Sequence, residues 1–187
     1  MAGPVITVNK LFPLGPRFDS GITTRDEYVH ALYKIFLADL VSRPLYWKRD
    51  GLTVSLRRNP EIDGRHAIFW HIISGGSGDE SCRQLEPQRC IRLRWIRIII
   101  EIFNAEFPRE FDIRWWIDTK RASKPRYVIT RPNFDYVVVV EQRKGYALLV
   151  TAYYAEQAHR RRKLKREHDG LRVKKCVRNR GFSRIDL

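Results

Sequence analysis

The sequence predicts an α+β fold in which two N-terminal helices pack on a four-stranded antiparallel meander, followed by a basic C-terminal helix. Two stretches of the first half, 25–41 and 87–105, have apolar residues at helical spacing. The second half holds four β-like runs, and the connections between them are short enough to permit only antiparallel neighbours. Helices that precede an antiparallel sheet are typical of the α+β class and cover one face of the sheet.

The first helix is predicted from its cap as well as from its apolar stripe. Thr24 and Glu27 stand three residues apart and match a capping box, in which each side chain accepts a hydrogen bond from the backbone of the other residue. Arg43 and Pro44 end the pattern, because proline disfavours helical backbone at the preceding residue.

Two strands are predicted between the helices. Residues 52–56 alternate between apolar and polar side chains after an Asp-Gly turn. Residues 65–73 follow a second Asp-Gly turn and are rich in aromatic and β-branched side chains, which favour a strand. A glycine-rich loop then leads to the second helix, with Pro87 near its first position.

The C-terminal half has the clearest pattern. Its predicted strands are 113–119, 126–131, 136–142 and 146–153. A charged helix is predicted at 155–168, and the sequence beyond it is basic and weakly patterned. We therefore expect one α+β domain at 1–168 and a basic C-terminal tail at 169–187.

Composition excludes several classes of protein. Hydrophobic residues make up 43% of the 187 residues, which is too much for a wholly disordered basic chain. No apolar run approaches the roughly 20 residues that a membrane-spanning helix needs. The N-terminal residues 1–14 have no secretory pattern, and three cysteines are too few for a disulfide scaffold. A cytoplasmic location is therefore expected, without a membrane partner.

The positive charge is large and unevenly placed. The chain has 36 Lys and Arg against 21 Asp and Glu, a net charge of +15. The last 34 residues hold twelve of these cations and four acids, so they carry more than half of the excess. Clustered cations of this kind indicate a polyanion binder, for which nucleic acid is the expected partner. The alternative is a solvated basic tail that only aids solubility.

Two histidines are candidates for proton transfer. Imidazole titrates near neutrality, and Arg57, Arg58 and Arg65 flank His66, so this residue suits acid–base chemistry beside a phosphate. On a strand, His66 and His71 would face opposite sides, which makes one of them structural. The alternative for each is a core or surface histidine that has no functional role.

A polar pair on the last predicted strand is the second candidate. Thr151 and Tyr153 share one face by the period of two, and their hydroxyls could hold a phosphate or an RNA 2′-hydroxyl. The alternative is ordinary cross-strand packing. No metal site or cofactor is expected, because His66, His71, Cys82 and Cys90 do not have a common zinc spacing. Neither a P-loop nor a nucleophile elbow is present.

Two blocks of sequence resemble a known class of nucleases. Residues 136–154 read YVVVVEQRKGYALLVTAYY and are followed by HRRRKL at 159–164, while residues 63–72 read DGRHAIFWHI. These blocks resemble phage-associated proteins of the barnase–EndoU–colicin–RelE-like nuclease class. The resemblance covers about residues 50 to 168 and implies a metal-independent ribonuclease with helices before a four-stranded antiparallel sheet. It implies a catalytic site at His66 or His71 together with Thr151 and Tyr153.

The expected activity is therefore cleavage of the RNA backbone by general acid–base catalysis, in a toxin or phage-defence effector that could have a cognate inhibitor protein. Two other functions stay open: a non-catalytic RNA-binding or ribosome-associated module, and a basic phage or mobile-element interaction protein. The cations expected to contact nucleic acid are Arg57, Arg58, Arg65, Arg92, Lys144, Arg160, Arg161, Arg162 and Lys163.

Overall fold

The computed structural model describes residues 12–17, 21, 24–47, 51–76, 84–118 and 124–180, with side chains up to residue 171. Five α-helices and eight strands are present in these ranges. The helices are α1 (Arg25–Phe36), α2 (Ala67–Ile73), α3 (Pro87–Cys90), α4 (Trp95–Glu106) and α5 (Ala158–Arg180). The strands are β1 (Tyr46–Trp47), β2 (Leu52–Ser55), β3 (Ser74–Gly75), β4 (Gln84–Leu85), β5 (Arg114–Asp118), β6 (Arg126–Thr130), β7 (Tyr136–Arg143) and β8 (Tyr146–Tyr154).

Six strands form one sheet in the order β1-β2-β8-β7-β6-β5. Strands β5 to β8 are consecutive antiparallel neighbours. Strand β2 adds to β8 in parallel, with Val54 opposite Ala147, and β1 adds to β2 in antiparallel. Strands β3 and β4 form a separate two-stranded ribbon.

The main core lies on one face of the sheet. Helices α1, α2 and α4 cover this face, and their fully buried side chains include Phe36, Phe69 and Phe103. The cap of α1 forms as predicted, since the Glu27 amide donates to Thr24 Oγ1 at 3.2 Å and the Thr24 amide donates to Glu27 Oε2 at 3.1 Å. A π-helical turn (Leu37–Val41) continues α1.

Helix α5 covers part of the opposite face. Its Leu164 packs with Trp116, Val128 and Phe134 in a second, smaller core. Buried His168 anchors the helix, because its Nε2 lies 3.1 Å from Glu110 Oε1 on the segment before β5. The apolar side of α5 is thereby fixed to the sheet, and its other side faces solvent.

The α+β class is confirmed, but its predicted details are not. The sheet has six strands rather than four, and five helices replace the predicted two helices and C-terminal helix. The sheet is larger because β2 pairs with a strand about ninety residues away, which no local pattern encodes. The helices also cover both faces of the sheet, since α5 lies opposite the others.

The predicted strand at 65–73 is wrong, because residues 67–73 form helix α2. Its buried residues Ile68, Phe69, Ile72 and Ile73 recur at helical spacing. The predicted helix at 87–105 divides into α3 and α4. Between them the amides of Leu93, Trp95 and Ile96 donate to carbonyls three residues back, which tightens the backbone into successive turns. Helix α5 also continues past the predicted domain boundary at 168.

Candidate nucleic-acid interface

Strand topology brings separate cations to one end of the sheet. Strands β6 and β8 run in the same direction, because each is antiparallel to β7, so both strands finish at the same end of the sheet. Arg131 follows β6 at this end, and Tyr154 is the last residue of β8. The turn between α3 and α4 brings Arg92 to the same place, and the first turn of α5 brings Arg161.

These residues form an arginine–aromatic cluster, which we define as Arg92, Arg131, Arg161, Trp95 and Tyr154. The Arg92 guanidinium carbon lies 4.0 Å from the centroid of the Tyr154 ring and 4.9 Å from that of Trp95. The Arg131 guanidinium lies 4.7 Å from the same Trp95 centroid. Arg161 Nη2 donates to the Tyr154 hydroxyl at 3.3 Å. The rings therefore hold three cations together through cation–π contacts and a hydrogen bond.

The cluster has more positive than negative charge. Its ion pair joins Arg131 Nη1 to Asp135 Oδ2 at 3.1 Å. Within the described part of the chain Arg92 has no carboxylate partner, and it donates instead to the backbone and side-chain oxygens of Gln88. Burial lowers the pKa of Arg92 from its ordinary value, and neighbouring Arg131 acts in the same direction. These contacts show a partly desolvated guanidinium whose charge is not matched by a carboxylate.

Helix α5 extends this charge outward. Six of the nine residues 158–166 are Lys or Arg, and none is acidic. Arg160, Arg162, Lys163 and Arg166 are exposed and form no ion pair with any described side chain, whereas Lys165 pairs with Asp169 at 2.7 Å. This arrangement opposes the helix dipole, which favours acids rather than cations in the first turn. The solvent side of α5 is thus a strongly positive surface.

The predicted histidine site lies on the other side of the sheet from α5. His66 Nδ1 lies 2.9 Å from the Tyr33 hydroxyl, and its ring contacts Phe36 in the main core. Burial lowers the pKa of His66 from its ordinary value of 6.5, and Arg58 acts in the same direction. Arg65 lies 5.7 Å from the Tyr33 ring, so a neutral imidazole has cations close by.

Arg57 and Arg58 cap α2 through their carbonyls, to which the amides of Ile68 and Ala67 donate at 3.0 Å. Their side chains are exposed, and Arg58 forms a salt bridge with Glu61. His71 lies in the last turn of α2, whereas His66 precedes that helix as its N-cap residue.

Thr151 and Tyr153 lie on the sheet face that α5 covers. Tyr153 packs against the second core, and Thr151 stands opposite Val139, which packs there too. Helix α2, with both histidines, packs on the main core across the sheet. The expectation that an imidazole and these hydroxyls converge is therefore wrong, because the sheet separates them. Whether any of the four residues is catalytic stays a prediction.

The predicted nucleic-acid contacts divide into three places. Arg92, Arg160, Arg161, Arg162 and Lys163 belong to the cluster or to α5. Arg57, Arg58 and Arg65 surround His66. Lys144 lies in the β7–β8 turn, at the opposite end of β8 from Tyr154 and roughly 25 Å away.

Sequence reasoning missed Arg131 and Tyr154, whereas its prediction that Trp95 lies in the core is confirmed. A signal was available for the two missed residues, because Arg131 directly follows one strand of the meander and Tyr154 ends the next strand but one. In an up-and-down meander such positions meet at one edge. Nothing in the sequence pattern indicates that the turn at 91–94 delivers Arg92 to that edge.

Among the described residues, no group of three or more His, Cys, Asp or Glu side chains could hold a metal ion. Cys90 is buried, and burial raises the pKa of its thiol to about 12. Cys82 of the rejected zinc set lies outside the described ranges. The helices within these ranges include none with the length and apolar character required to cross a membrane.

Comparison with known proteins adds no relative to this picture. No family model matches the chain, and neither a curated protein nor a solved structure matches it.

Proposed function

We propose that this protein binds RNA through the solvent side of α5 and the adjoining arginine–aromatic cluster. The observation that carries the proposal is the run of six cations without an acid at the start of α5. Like charges at this spacing repel one another and oppose the helix dipole, so they destabilise the free protein. A polyanion relieves this repulsion and releases its condensed counterions when it binds.

Fluorescence anisotropy with a short labelled single-stranded RNA tests this proposal. We expect saturable binding whose affinity falls steeply as KCl rises, with a slope that reports the number of phosphate contacts. Duplex DNA of matched length, used as a competitor, measures the preference for RNA. Absence of binding at low salt would contradict the proposal and would favour an acidic protein partner, which pull-down would then recover. If the protein binds DNA more tightly than RNA, then DNA and not RNA is its ligand.

Ribonuclease activity is a second candidate function, and the Tyr33–His66 pair supports it. A lowered pKa keeps the His66 imidazole neutral near pH 7, so it can accept a proton. In this reaction, imidazole takes the proton of a 2′-hydroxyl and the 2′-oxygen bonds to the adjacent phosphorus. The bond to the 5′-oxygen then breaks, and that oxygen takes a proton from solvent. Arg65 and Arg58 would stabilise the added negative charge on phosphorus.

Incubation of labelled RNA with chelator separates the two functions. Cleavage by the wild type that is lost in His66→Ala but kept in His71→Ala would support the second candidate. Cleavage kept in both variants would contradict a role for His66, and binding without cleavage would leave RNA binding as the function. Poor growth of cells that express the wild type, relieved by His66→Ala, would support the toxin hypothesis.

A further inference from the structure

The arginine–aromatic cluster holds donors that the protein itself leaves without acceptors. Arg92 Nε and Arg131 Nε are both buried, and neither has a hydrogen-bond partner in the described part of the chain. Asp135 Oδ1, beside Arg131, is buried and has no partner among these residues either, but as an acceptor it does not favour an anion. A buried polar group without a partner destabilises the fold, so native proteins pair nearly all of them. Arg92 and Arg131 therefore have donor capacity that the described residues do not use.

The charge of the cluster indicates the ligand's chemistry. Three guanidinium groups meet here, and the Asp135 carboxylate neutralises one of them. Arg161 is already committed, since its Nε donates to the Ala155 carbonyl at 2.7 Å and its Nη2 to the Tyr154 hydroxyl. Arg92 and Arg131 keep free donors around a single ring, that of Trp95. Two uncompensated positive charges call for a compact anion with about two negative charges.

A terminal phosphate fits these requirements better than an internal one. A phosphomonoester carries about −1.5 to −2 charges near pH 7, whereas each phosphate within the RNA backbone carries a single charge. Its oxygens also accept the two parallel hydrogen bonds that a guanidinium fork offers. The cluster adjoins the first turn of α5, through Arg161, and so lies where an RNA held along that helix could end.

We propose that the arginine–aromatic cluster binds the terminal phosphate of RNA, with Arg92 and Arg131 as its principal donors. This inference rests on the proposed function, because it assigns one end of the RNA to one place on the same surface. It does not depend on cleavage, since the cluster contains no histidine.

The test compares RNAs of one sequence with a 5′-phosphate, a 3′-phosphate or hydroxyls at both ends. The wild type should bind one phosphorylated RNA at least about tenfold more tightly than the hydroxyl form, the effect of one charged hydrogen bond. Arg92→Gln should remove this preference, so that it binds the phosphorylated and hydroxyl RNAs with equal affinity. Arg92→Lys should lose most of it, because lysine keeps the charge without the fork. Arg94→Gln, at a neighbouring exposed arginine, is the matched control and should behave as the wild type.

A second measurement separates this inference from the proposed function. With ¹⁵N-arginine-labelled protein, inorganic phosphate should shift the Nε–H signals of Arg92 and Arg131 but not that of Arg94. These shifts without any RNA binding would overturn the proposed function and keep the phosphate site. RNA binding without end preference and without these shifts would overturn the site alone. An end preference that survives in folded Arg92→Gln would also overturn it, with circular dichroism as the check on folding.

Discussion

Neutralising the solvent side of α5 should weaken RNA binding by a calculable amount. Arg162, Lys163 and Arg166 are exposed and form no ion pairs within the ranges that the structure describes, so replacing all three with glutamine leaves the core contacts of α5 in place. Leu164 and His168, which anchor the helix, are untouched. The variant therefore changes charge with little expected effect on the fold.

The magnitude follows from counterion release. Each phosphate contact to single-stranded RNA contributes about −0.7 to the slope of log affinity against log salt, so three lost contacts should reduce the slope by about 2. The same change corresponds to about 100-fold weaker binding near 0.1 M salt, with the difference vanishing toward 1 M.

The assay is anisotropy of a labelled RNA at several KCl concentrations. A matched control replaces Arg25, Lys34 and Arg43, which are exposed cations on or just beyond α1, across the sheet from α5. Both variants lose three charges, so a general effect of net charge would weaken them equally. Equal slopes in the two variants would mean that RNA senses only the total charge of the protein, and α5 would then not be its binding surface.

Three further predictions concern stability and titration. Arg97→Met should lower the free energy of unfolding, measured in urea, by about 3 kcal/mol. The buried Arg97 guanidinium donates to the Asp39 and Arg43 carbonyls and pairs with Glu101, and both carbonyls would lose their donor. An unchanged free energy of unfolding would contradict a stabilising role for Arg97. Hydrogen bonds from Arg126 and then from Arg143 lower the pKa of Glu141 below 4.5. The contribution of Glu141 to stability is therefore present above pH 4.5 and is lost as pH falls through the folded pKa. The melting temperatures of the wild type and Glu141→Gln should converge in acid. NMR titration of His66 should have a midpoint below 6.5, because burial and then Arg58 lower the pKa of this imidazole, and Arg58→Gln should raise the midpoint. The stability linked to His66 is present above pH 6.5 and is lost as pH falls through the folded pKa. A midpoint above 6.5 would show that burial does not lower this pKa.

Local patterns predicted the elements whose signals are local. The capping box at Thr24 and Glu27 marks the start of α1, and the strand alternation with short turns marks β5 to β8. The error at 65–73 has a physical cause, since a short run of aromatic and β-branched residues fits a buried helix as well as a strand. The amides of Ala67 and Ile68, capped by carbonyls from 57–58, favour the helix, and no periodicity records that contact.

The candidate site was less predictable than the fold. The cations at 158–166, in the first part of α5, can be read directly from the sequence. The arginine–aromatic cluster, by contrast, joins β6, β8, α5 and the turn at 91–94, which only the strand order brings together. The separation of His66 from Thr151 is likewise a property of the sheet, because strand parity fixes the face of each side chain but not which helix covers that face.

Photocrosslinking followed by mass spectrometry identifies the residues of the protein that RNA contacts. The wild-type protein is irradiated in complex with RNA that contains photoreactive nucleotides, and the modified peptides are identified. We expect crosslinks in the first half of α5 and at Trp95 or Tyr154, and fewer of them in the variant that lacks Arg162, Lys163 and Arg166. Crosslinks confined to the α1 side of the sheet, and unchanged in that variant, would contradict this expectation.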